Sequence, residues 1–269
     1  MNTRLPEPTS DAPPQHDDWV TIAACGMLAA TLAAVCHETI GHGLGCLAAG
    51  GDVTLLTSIW FRCHDATSLT DAGGAIAGVI CGGLAMTVPL GRIGNAATRL
   101  AVLMFGAISL LWVAAQLISH PAFDRDDWHF IAARMHWPWM WRPTLAAIGV
   151  VSYAAIVRWI VSRLKDPAAP GRPAIRAAYV ASALSAACAG LMWSPQPIRS
   201  AAEGLLTLGV APLGLLLATR LASAGPAHRS AALIMRSWSV LLLSVVIFAA
   251  FALIQARGLG PLATVPLAE

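Results

Sequence analysis

The sequence contains little charge for its length. Of its 269 residues, 57% are hydrophobic and 12% are Asp, Glu, Lys or Arg, whereas about a quarter of the residues in a soluble domain are charged. A soluble chain of this size would need more charge to cover its exterior. In lipid an apolar exterior is already the solvated state, and the composition therefore predicts an integral membrane protein.

Features of nucleic-acid-binding proteins are also missing. The chain has no block of Lys or Arg, no aromatic RNA-binding motif and no Gly-rich phosphate loop. Its net charge of +3 comes mostly from arginines between apolar runs, where positive charge is a feature of membrane topology. We therefore expect membrane lipid as a partner, and no nucleic acid.

Cysteine is scarce and shows no pattern. The six cysteines lie mainly within apolar runs, where a free thiol behaves as a small hydrophobic group. No CxxC pair indicates a metal cluster or a disulfide framework, and we expect neither. Cys63 next to His64 offers a thiolate and an imidazole to a soft metal, but no second pair of this kind accompanies it.

Long apolar runs predict an all-α polytopic membrane protein with about seven transmembrane helices. The lipid core is roughly 30 Å thick, which takes about 20 apolar residues as a helix. The apolar runs cover residues 19–49, 73–91, 99–119, 143–165, 175–194, 200–223 and 233–256. After the first run, a stretch with β-branched residues predicts one short β-like segment at 53–61.

The polar segments that flank the apolar runs predict how the chain is oriented in the membrane. Residues 1–18 are polar and lack the basic segment of a cleavable signal peptide, so we expect a disordered tail there. Lys and Arg are more frequent in the loops on the side that holds the N-terminus. The positive-inside rule then predicts a cytoplasmic N-terminus in a multi-pass protein of the bacterial inner (cell) membrane.

The first apolar run contains the residues that indicate chemistry. His37, Glu38 and His42 lie inside a hydrophobic helix, where ionisable side chains are costly and mark functional sites. Zinc hydrolases carry the signature HExxH, in which two His one helical turn apart bind zinc and the Glu activates a water. This sequence reads HExxxH, with one residue too many.

The additional residue changes where the imidazoles point. On a regular α-helix, five residues turn about 500°, so His37 and His42 would point about 140° apart. A π-bulge, which adds one residue to a helical turn, would realign them and leave Glu38 free as a base. Alternatively, a regular helix would offer Glu38 and His42 as the ligand pair, with His37 behind them. We favour the π-bulge because it preserves a free carboxylate.

The stretch HETIGHGLGCLAAGGDVTLL resembles the start of the site-2 protease family of intramembrane zinc metalloproteases. In that family an HE…H helix with small residues precedes a Gly-Gly turn and a β-like segment, which correspond here to Gly50-Gly51 and residues 53–61. The next run, AGGAIAGVICGG, is similar to the glycine-rich central helix of the family.

The resemblance implies that an aspartate at the start of a later helix supplies the third zinc ligand, after Pro, four residues and then Asp-Gly. Here Asp126 has that distance from Pro121, and Asp127 stands in the place of the Gly. The spacing points to Asp126, whereas the position before the aromatic Trp128 points to Asp127, which we choose. Two spans after the first return the chain to the face near His42, so the candidate ligands converge.

These residues and the resemblance predict an intramembrane zinc metallopeptidase that cleaves a membrane-associated, transmembrane protein substrate. Zn²⁺ would be held by His37, His42 and Asp127 or Asp126, with Glu38 as general base. Residues 19–141 would form the catalytic membrane core and residues 142–269 additional transmembrane helices. The alternative is a non-proteolytic metal-binding or transport protein. A membrane di-iron oxidase is a further alternative, but it needs paired histidines, and the chain has no His-His.

Overall fold

The computed structural model describes residues 16–124, 126–222 and 232–267, apart from the side chain of Asp126. Six helices in these ranges are long and apolar enough to cross a membrane, and the described strands form one two-stranded sheet. The predicted all-α polytopic membrane protein is confirmed. The expected disordered tail falls largely in residues 1–15, outside the described residues.

The helices and strands follow the predicted runs. They are α1 (Trp19–Ala48), β1 (Asp52–Leu56), β2 (Phe61–His64), α2 (Ser68–Thr87), α3 (Ala96–Phe123), α4 (Asp126–Arg134), α5 (Trp141–Leu164), α6 (Arg172–Gly190), α7 (Pro197–Leu221) and α8 (Trp238–Gln255). The six candidate spans are α1, α2, α3, α5, α7 and α8. Helix α6 forms at the remaining predicted run and packs against α1 and α7.

Polar side chains cap the amino-terminal ends of α1 and α3. The carboxylate of Asp18 accepts a hydrogen bond from the Thr21 amide at the start of α1. Asn95 caps α3 by accepting from the Thr98 amide. Such side chains satisfy amides that have no partner inside the helix, so each helix starts at a defined residue.

The helices contact one another through small residues. A Cβ atom on Gly26 of α1 would lie 2.0 Å from the Ala178 carbonyl oxygen of α6. A Cβ on Gly73 of α2 would lie 2.3 Å from the Gly41 carbonyl oxygen of α1. Transmembrane helices associate by close packing because lipid is as apolar as their side chains. Glycine at these positions lets the backbones of α1, α2 and α6 come into contact.

Connections at the two ends of the bundle form separate groups of contacts. On the end that we call the N-terminal face, the Asp18 amide donates to the Ile234 carbonyl, and Arg163 donates to the Val88 carbonyl. On the opposite end, the hairpin face, the Trp193 indole donates to the Ala263 carbonyl at 2.7 Å. The N-terminal face comprises residues 16–18, 88–95, 165–171 and 232–237. The hairpin face comprises residues 49–67, 126–140, 191–196 and 256–267.

The predicted β-like segment is an antiparallel hairpin. Strand β1 pairs with β2, with Leu56 opposite Phe61 and an irregularity between Val53 and Leu55. On its other edge, β1 exchanges two backbone hydrogen bonds with Leu259. The sheet is therefore extended by a segment from the opposite end of the chain.

A disulfide joins Cys46, in the last turns of α1, to Cys63 in β2. The expectation of no disulfide is wrong for this pair, because the hairpin folds back on the end of α1 and brings together two cysteines that no sequence pattern relates. The thiol of Cys63 is consumed by the bond, so the Cys63-His64 pair offers no thiolate to a metal. The other four cysteines are free.

Candidate metal centre

Helix α1 widens into a π-helix over Val35–Gly43. The widened turn places His37 and His42 on the same side, with their Nε2 atoms 3.2 Å apart. The predicted π-bulge is confirmed. The alternative of a regular helix with His37 behind a Glu38–His42 pair is wrong, because both imidazoles face the same point.

The third member of the cluster comes from α4. The Asp127 carboxylate lies 3.5 Å from His37 Nε2 and 3.4 Å from His42 Nε2. Among the residues that the structure describes, these three form the one group of His, Cys, Asp or Glu side chains placed to hold a metal ion. The side chain of Asp126, the other candidate ligand, lies outside the described part of the chain.

The spacing of the three side chains suits a metal site. Ligand atoms 2.0–2.1 Å from a tetrahedral zinc ion lie roughly 3.3–3.4 Å from one another. Here the two Nε2 atoms are 3.2 Å apart, His37 Nε2 lies 3.5 Å from Asp127 Oδ2, and His42 Nε2 lies 3.4 Å from the other carboxylate oxygen, Oδ1. His37, His42 and Asp127 are therefore close enough together to hold a metal ion.

The orientation of the His42 imidazole also suits metal binding. His42 Nδ1 lies 2.8 Å from the Thr70 carbonyl oxygen and donates to it, which leaves a lone pair on Nε2, the atom that faces the cluster. Metal-binding histidines are typically oriented in this way. The rings are fixed by stacking: His37 on Trp112, with centroids 4.1 Å apart, and His42 on Phe61, at 5.4 Å.

Gly74 of α2 leaves open space next to the two imidazole nitrogens. A Cβ atom at this position would lie 2.4 Å from His37 Nε2 and 2.4 Å from His42 Nε2. Both distances are shorter than any real contact of a Cβ atom, and both end on the nitrogens that would coordinate the metal. The glycine-rich helix that follows the hairpin therefore keeps the centre of the cluster open.

A glutamine that sequence reasoning missed completes the cluster. Gln116 of α3 is buried, and its side-chain nitrogen donates to the Asp127 carboxylate at 3.3 Å. The same nitrogen lies 3.3 Å from His37 Nε2. A polar side chain within an apolar helix is costly, and this cost was the available signal for Gln116 in the sequence.

An ion pair between helices fixes the position of α4. The Arg134 guanidinium donates to the Asp71 carboxylate of α2 at 2.7 Å. Burial opposes ionisation of Asp127, but the positive charge of a protonated His42 and the hydrogen bonds from His37 and His42 outweigh it and hold the pKa of this carboxyl well below its usual range. Asp127 is therefore available as a carboxylate.

The cluster lines a cavity of about 430 Å³. Glu38 belongs to the cavity wall and is 4% exposed. The cavity also has a polar side, to which Arg62 of β2, Arg134 of α4 and Glu203 of α7 contribute. The predicted base, the candidate ligands and one strand of the hairpin thus meet around one space.

Comparison with models of protein families, with characterised proteins and with solved structures gives no match for this chain. The resemblance to site-2 proteases therefore stays a prediction.

Proposed function

We propose that this protein is an intramembrane metallopeptidase similar to site-2 proteases, with Zn²⁺ held by His37, His42 and Asp127. One observation carries the proposal. Two imidazoles and a carboxylate converge on one point, beside a buried glutamate, in a cavity of a membrane-spanning bundle. Zinc with three protein ligands leaves a fourth position for water, as in catalytic sites.

Bound zinc would supply Lewis acidity, which lowers the pKa of a coordinated water toward neutrality. Glu38 would accept the proton of that water and deliver it to the nitrogen of the departing amine. Its place in the cavity wall next to His37 suits this role. The hydrogen bond from His42 to the Thr70 carbonyl keeps the imidazole oriented throughout.

The hairpin supports the binding of an extended substrate. A peptide bond within a helix is shielded, so a transmembrane substrate must unwind locally before it is cleaved. In the described part of the chain, β1 is paired on both edges, by β2 and Leu259, whereas β2 pairs with β1 alone. We expect the substrate to add as a strand to the other edge of β2, and Phe61 to Cys63 of β2 line the metal cavity.

The test compares membranes that contain the native protein with membranes that contain Glu38→Gln. Quantitative sequencing of protein N-termini is expected to reveal new termini, within or next to transmembrane segments, in the native membranes only. Zinc analysis of both purified proteins is expected to give equal metal contents. Asp65→Asn, in the exposed turn after β2, serves as the matched control and is expected to cleave normally.

Two outcomes would contradict this proposal. Cleavage that persists in Glu38→Gln would show that Glu38 is not the general base. If both proteins bind zinc equally and the two membranes contain identical protein termini, the protein does not cleave these substrates. The function would then be metal binding or transport.

A further inference from the structure

We infer that the metal cavity opens on the oxidising, extracytoplasmic side of the membrane and receives a segment of its substrate from that side. The orientation follows from the disulfide and the charges of the chain, and it stands independently of catalysis. The identification of the incoming segment as a substrate rests on the proposed function.

The disulfide provides the first observation. Cys46 lies one helical turn beyond His42, and Cys63 is itself part of the cavity wall. Disulfides form and persist in oxidising compartments and are rare in the cytosol, where thiols are kept reduced. The hairpin face, which carries the bond, is therefore the face exposed to the oxidising compartment.

The distribution of positive charge provides the second, independent observation. In the described residues, the connections and helix ends at the N-terminal face carry eight Lys or Arg: Arg92, Arg99, Arg163, Lys165, Arg172, Arg176, Arg220 and Arg236. Those at the hairpin face carry five: Arg62, Arg134, Arg142, Arg199 and Arg257. Cytoplasmic ends of membrane proteins are enriched in positive residues, so this distribution assigns the N-terminal face to the cytoplasm.

The cavity belongs to the hairpin face. Its wall includes Arg62 and Cys63 of β2, Ala66 after the hairpin and Arg134 of α4, all of which lie at that end of the bundle. The exposed Trp139, in the connection after α4, fits the lipid–water boundary of the same face. We therefore expect an extended segment that reaches β2 to come from the extracytoplasmic end of a substrate span.

The experiment labels single introduced cysteines in the full-length protein. Thr264→Cys lies in an exposed position of the C-terminal segment on the hairpin face. Gly94→Cys lies in an exposed position on the N-terminal face, where a Cβ atom meets no other atom within 4 Å. Intact cells and then permeabilised cells are treated with a membrane-impermeant maleimide, and the native protein, with its four free cysteines, gives the background.

We expect Thr264→Cys to react in intact cells and Gly94→Cys only after permeabilisation. The opposite pattern, or equal labelling of both variants in intact cells, would overturn the orientation. In addition, reduction of the denatured protein is expected to release two further thiols, detected as a gel shift with a large maleimide. An unchanged number of thiols would overturn the disulfide argument.

These outcomes are separable from those of the proposed function, because the labelling requires no activity. If the termini in native and Glu38→Gln membranes agree while the labelling pattern holds, the peptidase proposal fails and the orientation stands. If cleavage depends on Glu38 but the new termini map to the cytoplasmic ends of substrate spans, the peptidase proposal stands. The inference that the substrate enters from the extracytoplasmic side is then wrong.

Discussion

The Nε2 atoms of His37 and His42 lie 3.2 Å apart although the two residues are five positions apart in one helix. A regular α-helix would separate their directions by about 140°, and the π-helical turn absorbs the difference. A π-bulge is frequent at functional sites because it redirects side chains without ending the helix. In this chain, the irregular turn brings the two imidazoles of HExxxH to the same side of the helix.

Substitution of Gly74 by Ala is expected to abolish zinc binding. The new methyl group would lie 2.4 Å from the Nε2 atoms of His37 and His42 and would block the approach of an ion to them. Metal analysis of the purified protein should give zinc near one equivalent for the native chain and close to none for the variant. Gly83→Ala, on the same helix where a Cβ atom meets nothing within 4 Å, should bind zinc normally. Equal zinc in Gly74→Ala would mean that the ion lies elsewhere.

Asp127→Asn is expected to lower zinc affinity by more than the roughly 10–100-fold that is typical when a residue that merely orients a ligand is changed. The amide keeps the shape of the side chain but removes the charge that lies between the two imidazoles. Competition with a fluorescent zinc chelator measures the affinity. The control is Asp124→Asn, because Asp124 is exposed and pairs with His129 and Arg142 instead. An equal loss in both variants would argue against Asp127 as the third ligand.

Arg134→Gln is expected to weaken zinc binding by about tenfold. The substitution removes the 2.7 Å bond to Asp71 that fixes α4 against α2, and Asp127 then has more freedom to move away from the imidazoles. The same chelator competition measures the effect. Arg142→Gln, which removes an exposed arginine from a surface ion pair, should change the affinity little, as exposed pairs contribute at most about 1 kcal/mol. If the two arginine variants behave alike, Arg134 has no positioning role.

Removal of the disulfide is expected to lower thermal stability. A bond that closes a loop of this length, between residues 17 positions apart, stabilises a protein by roughly 3 kcal/mol in the chain-entropy treatment. The double variant Cys46→Ala and Cys63→Ala should therefore lose solubility in detergent at a lower temperature than the native protein. Reducing agent should lower that temperature for the native protein and leave the double variant unchanged. A shift in both would show that the reductant acts elsewhere.

Much of the site could be predicted from the sequence because its signals are local. An HExxxH pattern inside a hydrophobic run requires either a widened turn or a different ligand pair, and the physical need for a free base favoured the former. The convergence of Asp127 on this turn follows from counting spans, since two crossings return the chain to the same face. The positions of the helices could be predicted equally well, because long apolar runs in lipid form helices.

The remaining features depend on how distant segments meet. Nothing in the spacing of Cys46 and Cys63 marks them as partners, because their contact arises only when the hairpin folds back on α1. Gln116 belongs to the site because α3 passes beside His37, a relationship that no local pattern contains. The prediction of Asp127 over Asp126 rested on one neighbouring aromatic residue, whereas the contact itself depends on where α4 begins.

The pairing of Leu56 with Leu259 has a consequence for biosynthesis. Chains emerge from the ribosome beginning at the N-terminus, so β1 is made long before the residue that completes its outer edge. Until α8 has been inserted into the membrane, the outer edges of both β1 and β2 are open to other strands. The sheet beside the metal cavity is therefore completed late. A nascent chain that stalls before α8 would expose the outer edge of β1, which Leu259 covers in the finished protein.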